Sequence, residues 1–583
     1  MNGLNEQLFN FNAIRSGDIE IIDRLIENGA NVNLQNSQNE SPLFWAARHG
    51  YTEIVGRLIE QGANVNLQNS QGESPLFWAA RHRHTEIVDR LIEQGANVNL
   101  QNSQGESPLF LAAWHRHTEI VDRLIEQGAN VNLQNSQGES PLFLAARHRH
   151  TEIVDRLIEQ GANVNLQNSQ GESPLFWAAR CRHTEIVDRL IEKRANVNLQ
   201  NSQGESPLFW AARYGYTETV DRLTEQGANV NLQNSQDESP LFWAARHGYT
   251  EIVDRLIEQG ANVNLQNSQD ESPLFWAARN RHTEIVDRLI EQGANVNLQN
   301  SQGEFPLFWA AWYGHKEIVG RLIEQGANVN LQNSQDESPL FWAAQNRHTE
   351  IVDRLIEQGA NVNLQNSQGE SPLFWAARYG CTEIVDRLIE QGANVNLQNS
   401  QDESPLFWAA RNHHTEIVGR LIEQGANVNL QNSQDESPLF WAARHRHTEI
   451  VGRLIEQGAN VNLQNSQGEF PLFWAALHGH KEIVDRLIEQ GANVNLQNSQ
   501  GESPLFWAAQ HGYTEIVDRL IEQGANVNLQ NSQGESPLFL AAWHRHTEIV
   551  DRLIEQGANV NLQNSQGELL ILPPFFRHRE EKP

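Results

Sequence analysis

The amino-acid sequence predicts an all-α repeat solenoid, a curved superhelical array of helix–loop–helix units each closed by a hairpin-like turn. Three observations carry this. The tetrad Ser-Pro-Leu-Phe begins at Ser41 and returns every 33 residues as far as Ser536 without an insertion or deletion, with Phe305 and Phe470 replacing the serine twice. Each copy holds two short apolar stretches at helical spacing. No copy has enough apolar surface to enclose itself, so each must stack on the next.

One unit, Asn69 to Gln101, justifies the elements in order. Ser74 is suited to an N-cap and Pro75 to the first helical position, where a missing N–H does no harm. Leu76, Phe77, Trp78, Ala79 and Ala80 then form a short first helix, whose paired alanines leave a narrow face for a neighbour. Thr85 and Glu86 open a second helix in which Ile87, Val88, Leu91 and Ile92 make one apolar stripe. Gly95 is the helix stop, and Ala96-Asn97-Val98-Asn99 is read as a short extended segment. Asn102-Ser103-Gln104-Gly105 is a turn with one position that favours positive φ. Asp237, Asp270, Asp336, Asp402, Asp435 and Asn39 occupy that position elsewhere, and these residue types tolerate it best after glycine.

The organisation follows. Residues 1–40 contain a degenerate unit, recognisable in Ala13, Gly17, Ile21, Ile22, Leu25, Ile26 and Gly29. Sixteen full units span 41–568, and 569–583 leave the repeat. Asn10 and Asn12 replace apolar residues and read as a polar cap, while Leu569 to Phe576 is an apolar run interrupted by Pro573 and Pro574.

Net charge is -30, from 73 acidic against 43 basic side chains, which disfavours nucleic acid and anionic lipid as partners. The two cysteines, Cys181 and Cys381, lie six periods apart. With helices stacked about 8–10 Å apart they are expected on the order of 50 Å from each other, beyond a disulfide. Free thiols suit a reducing compartment. Met1 to Asp18 shows no signal-peptide pattern, and no apolar run is long enough to span a bilayer. The expectation is a soluble, cytoplasmic, monomeric protein.

The unit resembles the ankyrin repeat. Ser74-Pro75-Leu76-Phe77-Trp78-Ala79-Ala80 is similar to that family's Thr-Pro-Leu-His-x-Ala-Ala signature, and Ile87, Val88, Leu91, Ile92, Gly95, Ala96, Val98 and Asn99 match its second half. The departures are informative. The glycine between the two helices survives in seven of sixteen units, eight carry arginine, among them Arg83, Arg116 and Arg149, and one carries His413. A left-handed arginine costs roughly 1–2 kcal/mol, so these units are either weaker or differently looped. Arg194 replaces the helix-ending glycine in one unit, with the same consequence.

Chemistry is sparse. His82-Arg83-His84, His115-Arg116-His117 and His148-Arg149-His150 suggest a metal, but no third ligand recurs beside them, so a structural role is read instead. Thirteen units carry Trp at the position of Trp78, and Leu111, Leu144 and Leu540 replace it, which favours packing over a ligand ladder. Asp89 and Arg90 with Glu86 and Glu93 suit solvated pairs along the second helix. No cofactor and no enzymatic activity are expected, because a uniform array offers no singular site.

The resemblance implies protein binding on the concave face, at turn tips and first helices. In one unit these are Ser70, Gln71, Glu73, Arg81 and His82. The tips scarcely vary; the positions after the paired alanines do. They hold Trp114-His115, Arg147-His148, Arg213-Tyr214, Arg279-Asn280, Trp312-Tyr313, Gln345-Asn346 and Arg378-Tyr379. This row is read as a basic and aromatic stripe on an acidic body, favouring basic or repetitive protein partners. A spacer with little specific binding, or an effector acting on host proteins, is the alternative.

Overall fold

The computed structural model describes residue 14 and residues 16–567. The polar-cap positions Asn10 and Asn12 and the tail 569–583 lie outside them. From Ile19 to Glu555 the described residues form thirty-three helices, and after the first they come in pairs such as Pro75–Arg81 and Thr85–Glu93. The chain divides into two compact halves, one ending at Asn295 and the other beginning at Val296. Within each half, first helices pack on first helices of neighbouring repeats, second helices on second helices, and the two helices of a repeat on each other.

The sequence explains each boundary. Ser74 accepts a hydrogen bond from Phe77 N–H at 3.2 Å, and Pro75 follows at the first helical position. Where Phe305 and Phe470 stand in its place, no side chain caps the helix. The rings of Phe44 and Phe77 are buried, as are Leu76 and both alanines, and the second helix buries Ile87, Val88 and Leu91. Each such residue contributes about 1.5–3 kcal/mol, so stability resides in the contacts between repeats.

Two of the open expectations are resolved. Every non-glycine residue between the paired helices keeps the left-handed backbone: Arg83 has φ 62°, Arg347 64° and His413 64°. Arg194 at the helix end has φ 64°, and the turn residues Asn39 and Asp237 have 58° and 57°. The loops are therefore strained rather than rebuilt. The segment Ala96–Asn99, in contrast, turns instead of extending. Asn97 Oδ1 accepts from Asn99 N–H at 3.0 Å and Leu100 N–H donates to Asn97 O at 3.3 Å, so the asparagine side chain folds the backbone locally.

The second-helix charges pair within the helix as expected, Arg57 with Glu60 and Arg90 with Glu86, and also between repeats. The main partners lie in successive repeats: Arg57 Nε to Asp23 at 3.0 Å, Arg156 to Asp122 at 3.2 Å, Arg387 to Asp353 at 2.9 Å. Where Gly56 or Gly452 replaces the aspartate, the next repeat's Arg90 or Arg486 turns to its own helix, to Glu86 or Glu482. These are exposed pairs of modest worth.

Candidate protein-binding face

Three hydrogen-bond ladders present the tips and first helices on one face. At the tip, Ser103 N–H donates to Gln71 O of the preceding repeat at 2.7 Å, and Ser70 N–H to Gln38 O at 2.8 Å. Gln68 Nε2 donates both to Gly72 O of its own turn and to Gln101 O of the next. Beside it, Asn66 Oδ1 accepts from Asn97 N–H at 2.7 Å while its Nδ2 donates to Gly95 O at 3.2 Å. These amides are absorbed in holding repeats in register, so Ser70 and Gln71 offer exposed side chains on a fixed backbone.

Glu73 is buried and structural. Asn69 Oδ1 accepts from Glu73 N–H at 2.8 Å and its Nδ2 donates to Glu73 Oε2 at 2.8 Å. The same carboxylate oxygen accepts from Trp78 Nε1 at 3.1 Å. The triad recurs as Asn168-Glu172-Trp177 and Asn399-Glu403-Trp408. Trp is thus both packed and hydrogen-bonded: Phe44 and Phe77 meet the Trp78 ring edge-on at 6.2 and 6.0 Å.

The arginine of the variable row lies on that ring system. Arg213 Cζ stands 5.0 Å from the Trp210 ring of its own repeat and 4.1 Å from Trp243 of the next. Arg378 repeats this over Trp375 at 4.8 Å and Trp408 at 4.0 Å, while Arg81 and Arg279 cover Trp78 and Trp276 at 4.9 and 4.8 Å. Burial draws the Arg246 guanidinium down from its ordinary value, against the pull of Glu271 and Glu238 on either side. The row is therefore a ladder in which guanidinium stacks on indole, with carboxylates near Arg246 on either side. Each stacked cation contributes about 0.5–2 kcal/mol.

The second residue of the row is exposed and stacks one turn along: His82 on Trp78 at 5.3 Å, Tyr214 on Trp210 at 5.3 Å, Tyr313 on Trp309 at 5.5 Å, Tyr379 on Trp375 at 5.4 Å. Asn280 and Asn346 instead donate to Arg246 O and Trp312 O of the preceding repeat, at 2.8 and 3.2 Å. Burial and neighbouring histidines and arginines lower the pKa of His82, His115 and His148 below the ordinary 6.5. The other histidine of each pair braces the stack: His117 Nε2 meets Arg81 O at 3.1 Å and His150 Nδ1 meets Ala113 O at 2.9 Å, so that ring nitrogen carries the proton. Among the described residues no group of three or more His, Cys, Asp or Glu converges to hold a metal.

Substitutions break the ladder locally. With Leu144 in place of its own indole, Arg147 keeps the next repeat's Trp177 at 4.4 Å and pairs with Glu139 at 3.6 Å. With Leu111, the tryptophan moves to position 114, is 41% exposed and stacks on His115 at 5.7 Å. A hollow of about 470 Å³ opens there, bringing together Gln71, Glu73, Arg81, Trp114 and His115. Trp312 lies face to face with Trp342 at 3.4 Å, and the next repeat carries Gln345. With no arginine at either position, burial raises the pKa of Glu337, opposed by bonds from Asn333 and Trp342. The sequence carries the signal of this network in its spacing: glutamate five residues before each of the thirteen tryptophans equivalent to Trp78, arginine three after nine of them, and Trp at that arginine position beside both Leu111 and Leu540.

A face built from stacked tips and helices defines an all-helical repeat solenoid. A family model described as ankyrin repeats, in three copies, matches residues 11–102, 89–168, 109–201, 153–234, 175–267, 241–333, 307–399, 406–498 and 472–564. The chain belongs to the ankyrin-repeat family, whose repeats are generally protein–protein interaction modules. No match was found among curated proteins. Among the described residues no helix is long and apolar enough to cross a membrane.

Proposed function

We propose that this chain is a non-enzymatic scaffold that binds partner proteins on the face formed by turn tips and first helices, in a reducing compartment. The observation that carries the reading is the division of labour on that face. The backbone ladders and the Glu–Trp pairs fix its geometry, while the exposed second residue of the variable row changes from His82 to Tyr214, Asn280 and Tyr379 without touching the core. The free cysteines Cys181 and Cys381 suit the compartment. The stacking of the arginines on the tryptophans shifts the recognition role toward the histidine, tyrosine and asparagine positions beside them.

The test places a photo-crosslinking amino acid at Tyr379 and, separately, at Glu383 on the second helix of the same repeat. Protein adducts concentrated at Tyr379 are expected. Equal yields at both positions, or none at Tyr379, overturn the reading in favour of a spacer.

A further inference from the structure

Between the repeats of Trp507 and Trp543 the face opens into a hollow of about 550 Å³, whose walls include Glu502, Trp507, Gln510, Glu535, Leu540 and Trp543. Two and three repeats earlier, the same place is filled. Arg411 Cζ lies 4.7 Å from Trp408 and 4.2 Å from Trp441; Arg444 lies 4.8 Å from Trp441 and 3.9 Å from Trp474. Each guanidinium there has two indoles as walls and the carboxylates of two repeats nearby, as Glu238 and Glu271 flank Arg246.

At the hollow, three of those four walls persist: Trp507, Glu502 and Glu535. Leu540 replaces the second indole, and Trp543, 69% exposed, stands at the rim. The cation is what has gone. Gln510 occupies the arginine position, and Leu477 replaces the residue that would cover Trp507 from the preceding repeat. No lysine or arginine lines the hollow among the described residues. Glu502 and Glu535 each accept from one asparagine, Asn498 at 2.8 Å and Asn531 at 2.9 Å, and the Trp507 indole N–H has no acceptor.

We propose that this hollow receives an arginine side chain from a bound protein, its guanidinium flat on Trp507 and forked toward Glu502 and Glu535, its stem against Leu540 and Trp543. The chain's own repeats show that this surface fits a guanidinium, and the unneutralised carboxylates supply the charge. Arginine is favoured over lysine because a planar cation both stacks on an indole and spans two acceptors. The proposal rests on the reading of this face as a partner surface and adds the chemistry of one contact. The hollow at Leu111 and Trp114 is an internal control, because Arg81 is already in its wall.

The probe is the tripeptide acetyl-Gly-Arg-Gly-amide, titrated into the full chain labelled with 5-fluorotryptophan and followed by fluorine NMR. The Trp543 signal, assigned by its loss in Trp543→Phe, is expected to shift saturably while the Trp114 signal stays still. Gln510→Arg, which reproduces the neighbouring repeats, is expected to weaken binding at least tenfold, and the citrulline peptide to bind at least tenfold more weakly than the arginine one. Equal binding to Gln510→Arg, equal binding of citrulline, or no saturable shift overturns the proposal. Crosslinks at Tyr379 without any tripeptide shift would remove the arginine contact and leave the scaffold reading. A tripeptide shift without crosslinks would support the contact and remove that reading.

Discussion

Residues 372–444 and 471–543 are neighbouring stretches of one half, with helix pairs at the same spacing, and among their differences one row on the first helices stands out. In the first, Arg378, Arg411 and Arg444 each stand between two tryptophans. In the second, the same positions hold Leu477, Gln510 and Trp543. Trp408 and Trp441 donate to Glu403 and Glu436 at 3.1 Å, whereas the indole nitrogens of Trp375 in the first stretch and of Trp474 and Trp507 in the second have no acceptor. The buried alanines and second-helix stripe are the same in both. The row thus leaves the buried packing unchanged and alters the surface: where arginine stands it covers the indoles, and at Gln510 the Trp507 ring and the carboxylates beside it are left without one.

The sharpest way to break that contrast is to reverse a charge inside the intact ladder. Arg411→Glu removes a cation from two indoles and sets a carboxylate near Glu403 and Glu436. A local loss of about 2–4 kcal/mol is expected, read by native-state hydrogen exchange in the helices Pro405–Arg411 and Pro438–Arg444. Gln510→Glu, which forfeits no stacked cation, should cost about half as much or less. Equal losses would mean that the stacked guanidinium carries no energetic weight.

Backbone strain gives the next effect. Gly512 has φ 78°, and a Cβ there would lie 2.7 Å from His546. Gly512→Ala is therefore expected to cost about 1–2 kcal/mol. Arg446 already holds φ 63° at the equivalent position, so Arg446→Gly should gain about 1 kcal/mol. Thermal or denaturant midpoints moving the opposite way for either variant would show that the loop relaxes out of the left-handed region. Smaller still is Gln510→Arg, expected to stabilise the helix Pro504–His511 by about 0.5–1 kcal/mol in exchange measurements, because it restores one indole contact and two carboxylates.

The repeat, both helices, the serine caps and the positive-φ turns were legible because each is set locally, by period, proline, glycine and asparagine. Arg83 and its equivalents posed a local question that only backbone geometry answers: whether stacking forces dominate over the preference of arginine for negative φ. They do, since the histidine brace and the alanine packing on either side hold the loop. The Asp–Arg pairs between repeats were illegible because their partners are 34 residues apart, and the second half of each arginine stack because the next tryptophan lies 30 residues on. The hollows were illegible for a related reason. A cavity is the absence of a neighbour's side chain, and Leu540 or Gln510 reveals it only when set against Trp507 and Arg444 in the stacked array.

Histidine titration offers the finest discrimination between the two stretches. Burial, then Arg444, Arg411 and His478, lower the pKa of His445 below the ordinary 6.5; for His511 the causes are burial, then His544 and His546, with no arginine among them. With the folded value depressed, the unfolded chain binds more protons between that value and 6.5. Stability is therefore complete above pH 6.5 and falls as pH drops through the folded values. Both stretches should loosen on acidification, because burial leads in each. Arg444→Gln, however, should move the His445 titration up toward 6.5 in a proton NMR titration while His511 stays in place. A His445 that does not respond would mean that its depression is burial alone, and that the guanidinium ladder does not reach the exposed half of the row.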